Sequence, residues 1–201
     1  LKFGGRSVST AANWAIVAGL IRERLAEGVR PVVVHSALVG VSNALIALLD
    51  TAVTGGDTDD KLAKIRAQHH ALAKDLGVDP AMFDARFATL SQVIAGAKLL
   101  GEVSPRVHAR VLANGELLAT ELGAAYLRKE GLEVAWLDIR DFMQSTTLRD
   151  QSERARYISA RCDFSPDKDL QNRFAALDGV ILSQGFIARN AQGETVLLGR
   201  G

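Results

Sequence analysis

The sequence predicts an α/β fold built on a mostly parallel sheet, with a block of helices inserted on one side. Short β-branched runs at 31–35, 133–138 and 180–183 alternate with longer stretches of helical period, the pattern of a helix-covered parallel sheet. That alternation is interrupted once, by three consecutive helical stretches between 58 and 130. A length of 201 residues, 48% of them apolar, can bury the core of one large α/β domain or two small ones.

Taken in order, 1–3 reads as the end of a first strand. Thr10 can cap a helix running to about Ala26, with Trp14, Val17, Leu20, Ile21 and Leu25 at helical spacing and Gly28 as its stop. A buried strand follows at 31–35, then a helix at 38–52 and a polar loop at 54–59. The inserted helices are expected at about 58–76, 80–100 and 104–130, punctuated by Gly77, Pro80, Gly101 and Pro105. A strand at 133–138 precedes a short helix at about 152–161, a loop around Pro166 and another helix to about Leu177. The strand 180–183 ends at Gln184-Gly185, and 186–189 and 195–198 flank Asn190-Ala191-Gln192-Gly193 as a hairpin.

Composition narrows the function. Net charge is +1, and Lys and Arg are dispersed with no basic stripe interleaved with aromatics, which argues against nucleic acid as a partner. The single Cys162 rules out an internal disulfide framework and fits a reducing compartment. No apolar run approaches the roughly 20 residues needed to span a bilayer, so no membrane role is expected.

Glycine-rich corners with a fixed cation occur at both ends, Lys2-Phe3-Gly4-Gly5 and Gly199-Arg200-Gly201. Paired glycines let backbone N–H groups approach an anion, and Lys2 at a strand's C-terminal end can neutralise phosphoryl oxygens. Ser36, Ser42 and Asn43 follow the second strand and enter a helix, where hydroxyl and amide groups suit an anionic carboxylate or phosphate, or simply cap the helix. At about 100° per residue, Glu116 projects away from the charged stripe Arg110, Asn114, Glu121 and Arg128. Its neighbours on that face are Leu112, Ala119, Gly123 and Leu127, while Val107, Val111, Leu118 and Leu122 make the opposite face apolar too. A carboxylate there is costly unless paired, either with a ligand or in a structural ion pair. Gly115 beside it suggests close approach of another chain segment or a ligand. Gln184-Gly185-Phe186 lies at a strand end, the ligand edge of open α/β sheets, and Arg200 can clamp a carboxylate. His69 and His70, mid-helix among polar neighbours, read as a solvated face, and Trp14 and Trp136 as core. No His, Cys or carboxylate set has metal spacing.

Together these segments resemble aspartate kinases of the amino-acid kinase family. The resemblance rests on Lys2-Phe3-Gly4-Gly5 with Ser7-Val8, Ser36-Ala37 with Gly40-Val41-Ser42-Asn43, Gly115-Glu116-Leu117, Gln184-Gly185-Phe186-Ile187 and Leu198-Gly199-Arg200-Gly201, in the family's order and spacing across the whole chain. The helical insertion and Arg161-Cys162-Asp163-Phe164-Ser165-Pro166 look most like the bacterial proteins in which aspartate kinase is fused to diaminopimelate decarboxylase.

The resemblance implies a three-layer α/β/α sandwich and transfer of the ATP γ-phosphoryl group to the β-carboxylate of L-aspartate, with Mg²⁺ bridging phosphates. It implies that Lys2, Phe3, Gly4 and Gly5 hold ATP phosphates, with Lys2 catalytic. It further implies that Ser36, Ser42, Glu116, Phe186, Arg200 and Gly201 form the aspartate site, Glu116 meeting the ammonium and Arg200 a carboxylate. A cytoplasmic enzyme, homo-oligomeric at full length, is expected. Arg6 stands where the family usually has Thr, and Ser42 where Thr is common. The family continues with Gly-Ser-Asp and the nucleotide half, so residues 1–201 are expected to be an N-terminal lobe, inactive alone. The alternatives are a sister amino-acid or nucleoside-monophosphate kinase and a non-catalytic amino-acid-binding lobe.

Overall fold

A computed structural model describes residues 1–146, 150–163 and 165–199. Its centre is a four-stranded parallel sheet ordered β1–β2–β6–β3, formed by β1 (Lys2–Phe3), β2 (Val32–His35), β3 (Val134–Leu137) and β6 (Val180–Gln184). Every residue of β6 is buried, so both faces of the sheet are covered, as a parallel sheet requires. The fold is therefore the mixed α/β arrangement expected from the alternation of strand and helix patterns.

Helix α1 (Ala11–Ala26) starts where Thr10 accepts a hydrogen bond from the Asn13 N–H, and the chain turns away at Gly28, φ +77°. Helix α2 (Val41–Val53) begins three residues later than the periodicity suggests, because Gly40 adopts φ +81° and 36–40 forms a loop. Then come α3 (Thr58–Asp75), a 3₁₀ turn at Pro80–Phe83, α4 (Asp84–Leu100) and α5 (Pro105–Lys129). Ser104 caps α5 and Pro105 occupies its first turn, where the missing N–H costs nothing. Helix α5 packs on α2 and α4 on one side and on β3, β6 and the strand segment Thr195–Leu197 on the other, while α3 and α4 pack on α2. Arg86 and Glu121 pair across α4 and α5.

The short helix anticipated at 152–161 is α6 (Glu153–Ile158). The chain leaves it because Ala160 bonds both to the Leu197 carbonyl and to the Gly199 N–H, and β5 (Arg161–Cys162) pairs antiparallel with β4 (Ser145–Thr146). These pairings override local helix propensity. Helix α7 (Lys168–Ala175) leads to β6, and the anticipated hairpin is β7 (Ile187–Arg189) with β8 (Thr195–Leu197). No helix among the described residues is long and apolar enough to cross a membrane.

His69 corrects the expectation of a solvated face. It is fully buried, edge-on to Phe83 (5.7 Å) and Phe87 (6.0 Å), which the following segment folds back onto α3. Its Nδ1 bonds the Ile65 carbonyl at 2.8 Å. Trp14 is fully buried, whereas Trp136 is partly exposed.

Two expectations follow from this packing. Burial lowers the pKa of both His35 and His69 from 6.5 to about 4. Below pH 6.5 the unfolded chain binds protons that the folded one refuses, so this contribution is intact above pH 6.5 and is lost as pH falls towards 4. Between pH 7 and 5 stability should drop by about 2 kcal/mol per histidine. His69→Phe should flatten the slope of urea-derived stability against pH, and an unchanged slope would contradict the assignment. A Cβ at Gly123 would overlap the Trp14 ring and lie 3.0 Å from His35 Nε2, whereas one at Gly96 in α4 would meet nothing within 4 Å. Gly123→Ala should therefore destabilise by about 1–3 kcal/mol. Gly96→Ala should stabilise by about 0.5–1 kcal/mol. Thermal melts that rank the two variants the other way would contradict the packing.

Candidate active site

Phe3, His35 and Gln184 lie side by side at the C-terminal ends of β1, β2 and β6. Hydrogen bonds carry the alignment one residue further, from Ser36 N–H to the Phe3 carbonyl (3.2 Å) and from Gly185 N–H to the His35 carbonyl (3.2 Å). Parallel strands that end together open a crevice there. A cleft of about 560 Å³ occupies this edge, lined by Lys2, Ser36, Ser42, Glu116, Gly185 and Phe186, with Leu198 and Gly199 closing one side. Strand ends, a helix entry and the middle of α5, far apart in sequence, thus meet at one place.

Glu116 is 3% exposed, and its Oε1 faces the Ala37 N–H at 3.4 Å. It reaches the cleft because α5 comes unusually close. A Cβ at Gly115 would sit 3.0 Å from the Ala37 side chain and 3.4 Å from Val41. Lys2 is exposed at the rim. The cleft therefore combines a buried carboxyl group with an exposed lysine and two hydroxyls. His35 lies buried at this edge, edge-on to Trp14 at 5.3 Å. Burial holds its pKa near 4, so it is neutral at pH 7.

The glycine corner is also shaped by contact with a neighbouring segment. Gly4 has an extended backbone, Gly5 opens a 3₁₀ turn to Val8, and neither adopts a positive φ. A Cβ at Gly5 would lie 2.6 Å from the Ala37 carbonyl, so glycine is needed there for contact with the 36–40 loop. Ser9 staples the two segments, its hydroxyl donating to the Gly5 carbonyl (2.6 Å) and accepting from the Val39 N–H (2.9 Å). Trp14 secures the end of the turn by donating to the Val8 carbonyl (2.9 Å). Phe3 borders a separate hollow of about 300 Å³ with Arg6, Ser7, Asn13, Ile16 and Val17. Arg6 is exposed there, and its carbonyl accepts from Asn13.

Phe186 has φ +68°, a conformation that a bulky residue adopts only under constraint. The Ile187 N–H bonds the Gly185 carbonyl at 2.9 Å, closing a three-residue turn around it. Arg200 and Gly201 lie outside the described residues, as does Phe164. A hollow of about 600 Å³ between Phe142 and Gln171 contains none of the predicted residues except the neighbourhood of Cys162, whose thiol burial pushes its pKa up, away from reactivity. Ser9 and Thr120 were not singled out by sequence reasoning. Neither carries a local sequence signal, since Thr120 sits on a helix that also bears Arg110, Asn114, Glu116 and Glu121.

The chain is 36% identical over 135 residues to aspartokinase 3, chloroplastic, of Arabidopsis thaliana, covering 65% of this chain and 24% of that protein. It is 30% identical over 201 residues to the aspartokinase of Chlamydia muridarum, covering all of this chain and 42% of that protein. Among solved structures, Escherichia coli aspartokinase III in complex with aspartate and ADP superposes with a TM-score of 0.77 at 27% identity, covering all of this chain and 43% of that one. The chain thus spans less than half the length of these relatives. The amino acid kinase family model matches residues 1–201, and with the parallel sheet and its carboxyl-edge cleft in place, the chain belongs to the amino acid kinase family.

Proposed function

We propose that residues 1–201 are the acceptor-binding, N-terminal lobe of an aspartate kinase catalytic domain, with 58–130 as its helical insertion. The observation that carries this reading is the buried Glu116 carboxylate in the same cleft as Lys2 and the hydroxyl-bearing Ser36 and Ser42. A buried carboxylate repels a purely anionic acceptor and attracts one that brings its own ammonium. Aspartate offers that ammonium together with two carboxylates.

In this reading Glu116 holds the α-ammonium and Ser42 bonds the acceptor from the start of α2. Ser36 and Phe186 wall the pocket, and Arg200 with Gly201 takes a carboxylate. Lys2, with the backbone of Phe3, Gly4 and Gly5, draws the nucleotide phosphates to the strand ends. The β-carboxylate oxygen attacks the γ-phosphorus in line, the bond to the β-phosphate oxygen breaks, and ADP leaves with 4-phospho-L-aspartate as product. No protein nucleophile takes part; rate comes from positioning and from Lys2 neutralising charge on the transferring group. Mg²⁺ would be carried by the phosphates and would supply further neutralisation of their negative charge. The nucleotide of the Escherichia coli relative's complex supports ATP as donor. The single cysteine supports a reducing, cytoplasmic setting. Homo-oligomeric assembly rests on the family resemblance.

Two substitutions in the enzyme that carries this lobe test the roles. Glu116→Ala should raise the aspartate KM roughly 30- to 100-fold, as expected for one lost charge-assisted contact, with ATP KM nearly unchanged. Equal loss of both substrates would instead mean a damaged fold. Lys2→Ala should lower kcat by about 10²–10³ with little change in melting temperature. Near-normal turnover in that variant would remove Lys2 from the chemistry.

A further inference from the structure

We infer that Thr120 is a positioning residue for the acceptor pocket: its hydroxyl is the junction that holds Glu116 and the strained Phe186 turn in register. This rests on the aspartate-site reading above and extends it to a residue that touches no substrate.

Thr120 is fully buried. Its Oγ1 donates to the carbonyl of Glu116 at 2.8 Å, one turn back along α5. The same oxygen accepts from Gln184 Nε2 at 2.8 Å and from Trp136 Nε1 at 3.0 Å. A hydroxyl has one proton and two lone pairs, so its capacity is filled. Gln184, 2% exposed, accepts in turn from the Ile139 N–H at 2.8 Å. One oxygen therefore joins α5, the end of β6 and β3, and through the Gln184 side chain the network reaches the turn after β3. The two elements it ties most directly are those whose next residues face the cleft. Glu116 supplies the carbonyl, and Gln184 precedes Gly185 and Phe186.

The Phe186 turn needs such anchoring. At φ +68° it would relax if its flanks could move. On one side it is held by the Leu198 N–H on the Phe186 carbonyl (2.8 Å), on the other by Gln184. A core selected for stability alone could fill the Thr120 site with the isosteric valine. Threonine instead satisfies two donors, which fixes the position of Gln184 and not merely its burial.

The test compares Thr120→Val with Thr120→Ser in the enzyme carrying this lobe. Thr120→Val should raise aspartate KM at least about tenfold while ATP KM stays within about twofold, and Thr120→Ser should remain within about threefold of the parent. In parallel, amide hydrogen exchange at Ile187 and Leu198 should speed up in Thr120→Val and not in Thr120→Ser. An unchanged aspartate KM in folded Thr120→Val, or equal rises for both substrates, overturns the inference. Should Thr120→Val fail to fold, Gln184→Met, which loses the same bond from the other side, carries the same expected shifts. A parent enzyme without aspartate-dependent turnover, but with the expected exchange differences, refutes the aspartate reading and leaves the junction standing. Unchanged exchange alongside normal turnover refutes the junction alone.

Discussion

Helix α5 lies against the sheet's ligand edge because it lacks side chains at two points. Gly115 leaves room for Ala37 and Val41, and Gly123, two turns on, leaves room for Trp14 and His35. With Ala119 between them they form a smooth strip, which lets the helix approach the 36–40 loop and the end of β2 at once. The close approach brings Glu116 to the Ala37 N–H and into a cleft whose other walls come from strand ends. The helix loses local propensity at each glycine, about 1 kcal/mol relative to alanine. The packing of a fully buried Trp14 and of α2 against α5 offsets that loss.

The same geometry sets the electrostatics. A carboxylate that is 3% exposed is little screened by water, so its field acts strongly on whatever enters the cleft. Lys2 is exposed at the rim, while His35 is neutral at pH 7. The cleft thus sets a buried carboxyl group and an exposed lysine on one lining. Ser9 ties the segment after β1 to the 36–40 loop by joining the Gly5 carbonyl to the Val39 N–H.

Much of this was legible in the sequence where the signal is local. Thr10 caps the helix it was expected to cap, Pro105 stands in the first turn of α5, and the 190–193 turn closes the hairpin. Glu116 could be singled out because a carboxylate on an apolar helical face violates the pattern around it. Distant partners hid the rest. His69 reads as solvated until Phe83 and Phe87 fold over it. The β4–β5 pair and the early end of α6 depend on Leu197 and Gly199. Ser9 reaches 30 residues away and Thr120 reaches Gln184 across 64, so neither role has a local signature. Gly5 marks a corner in the sequence, but its contact with the Ala37 carbonyl exists only in the folded chain.

The central claim is that the fold buries Glu116 in order to meet an ammonium. Succinate carries the two carboxylates of aspartate without that group, so comparing the two acceptors in the parent enzyme and in Glu116→Gln isolates the contact. The account predicts that the parent prefers aspartate over succinate in kcat/KM by roughly 100-fold or more and that Glu116→Gln reduces this preference to below about tenfold. A preference of the same size in both proteins would contradict it.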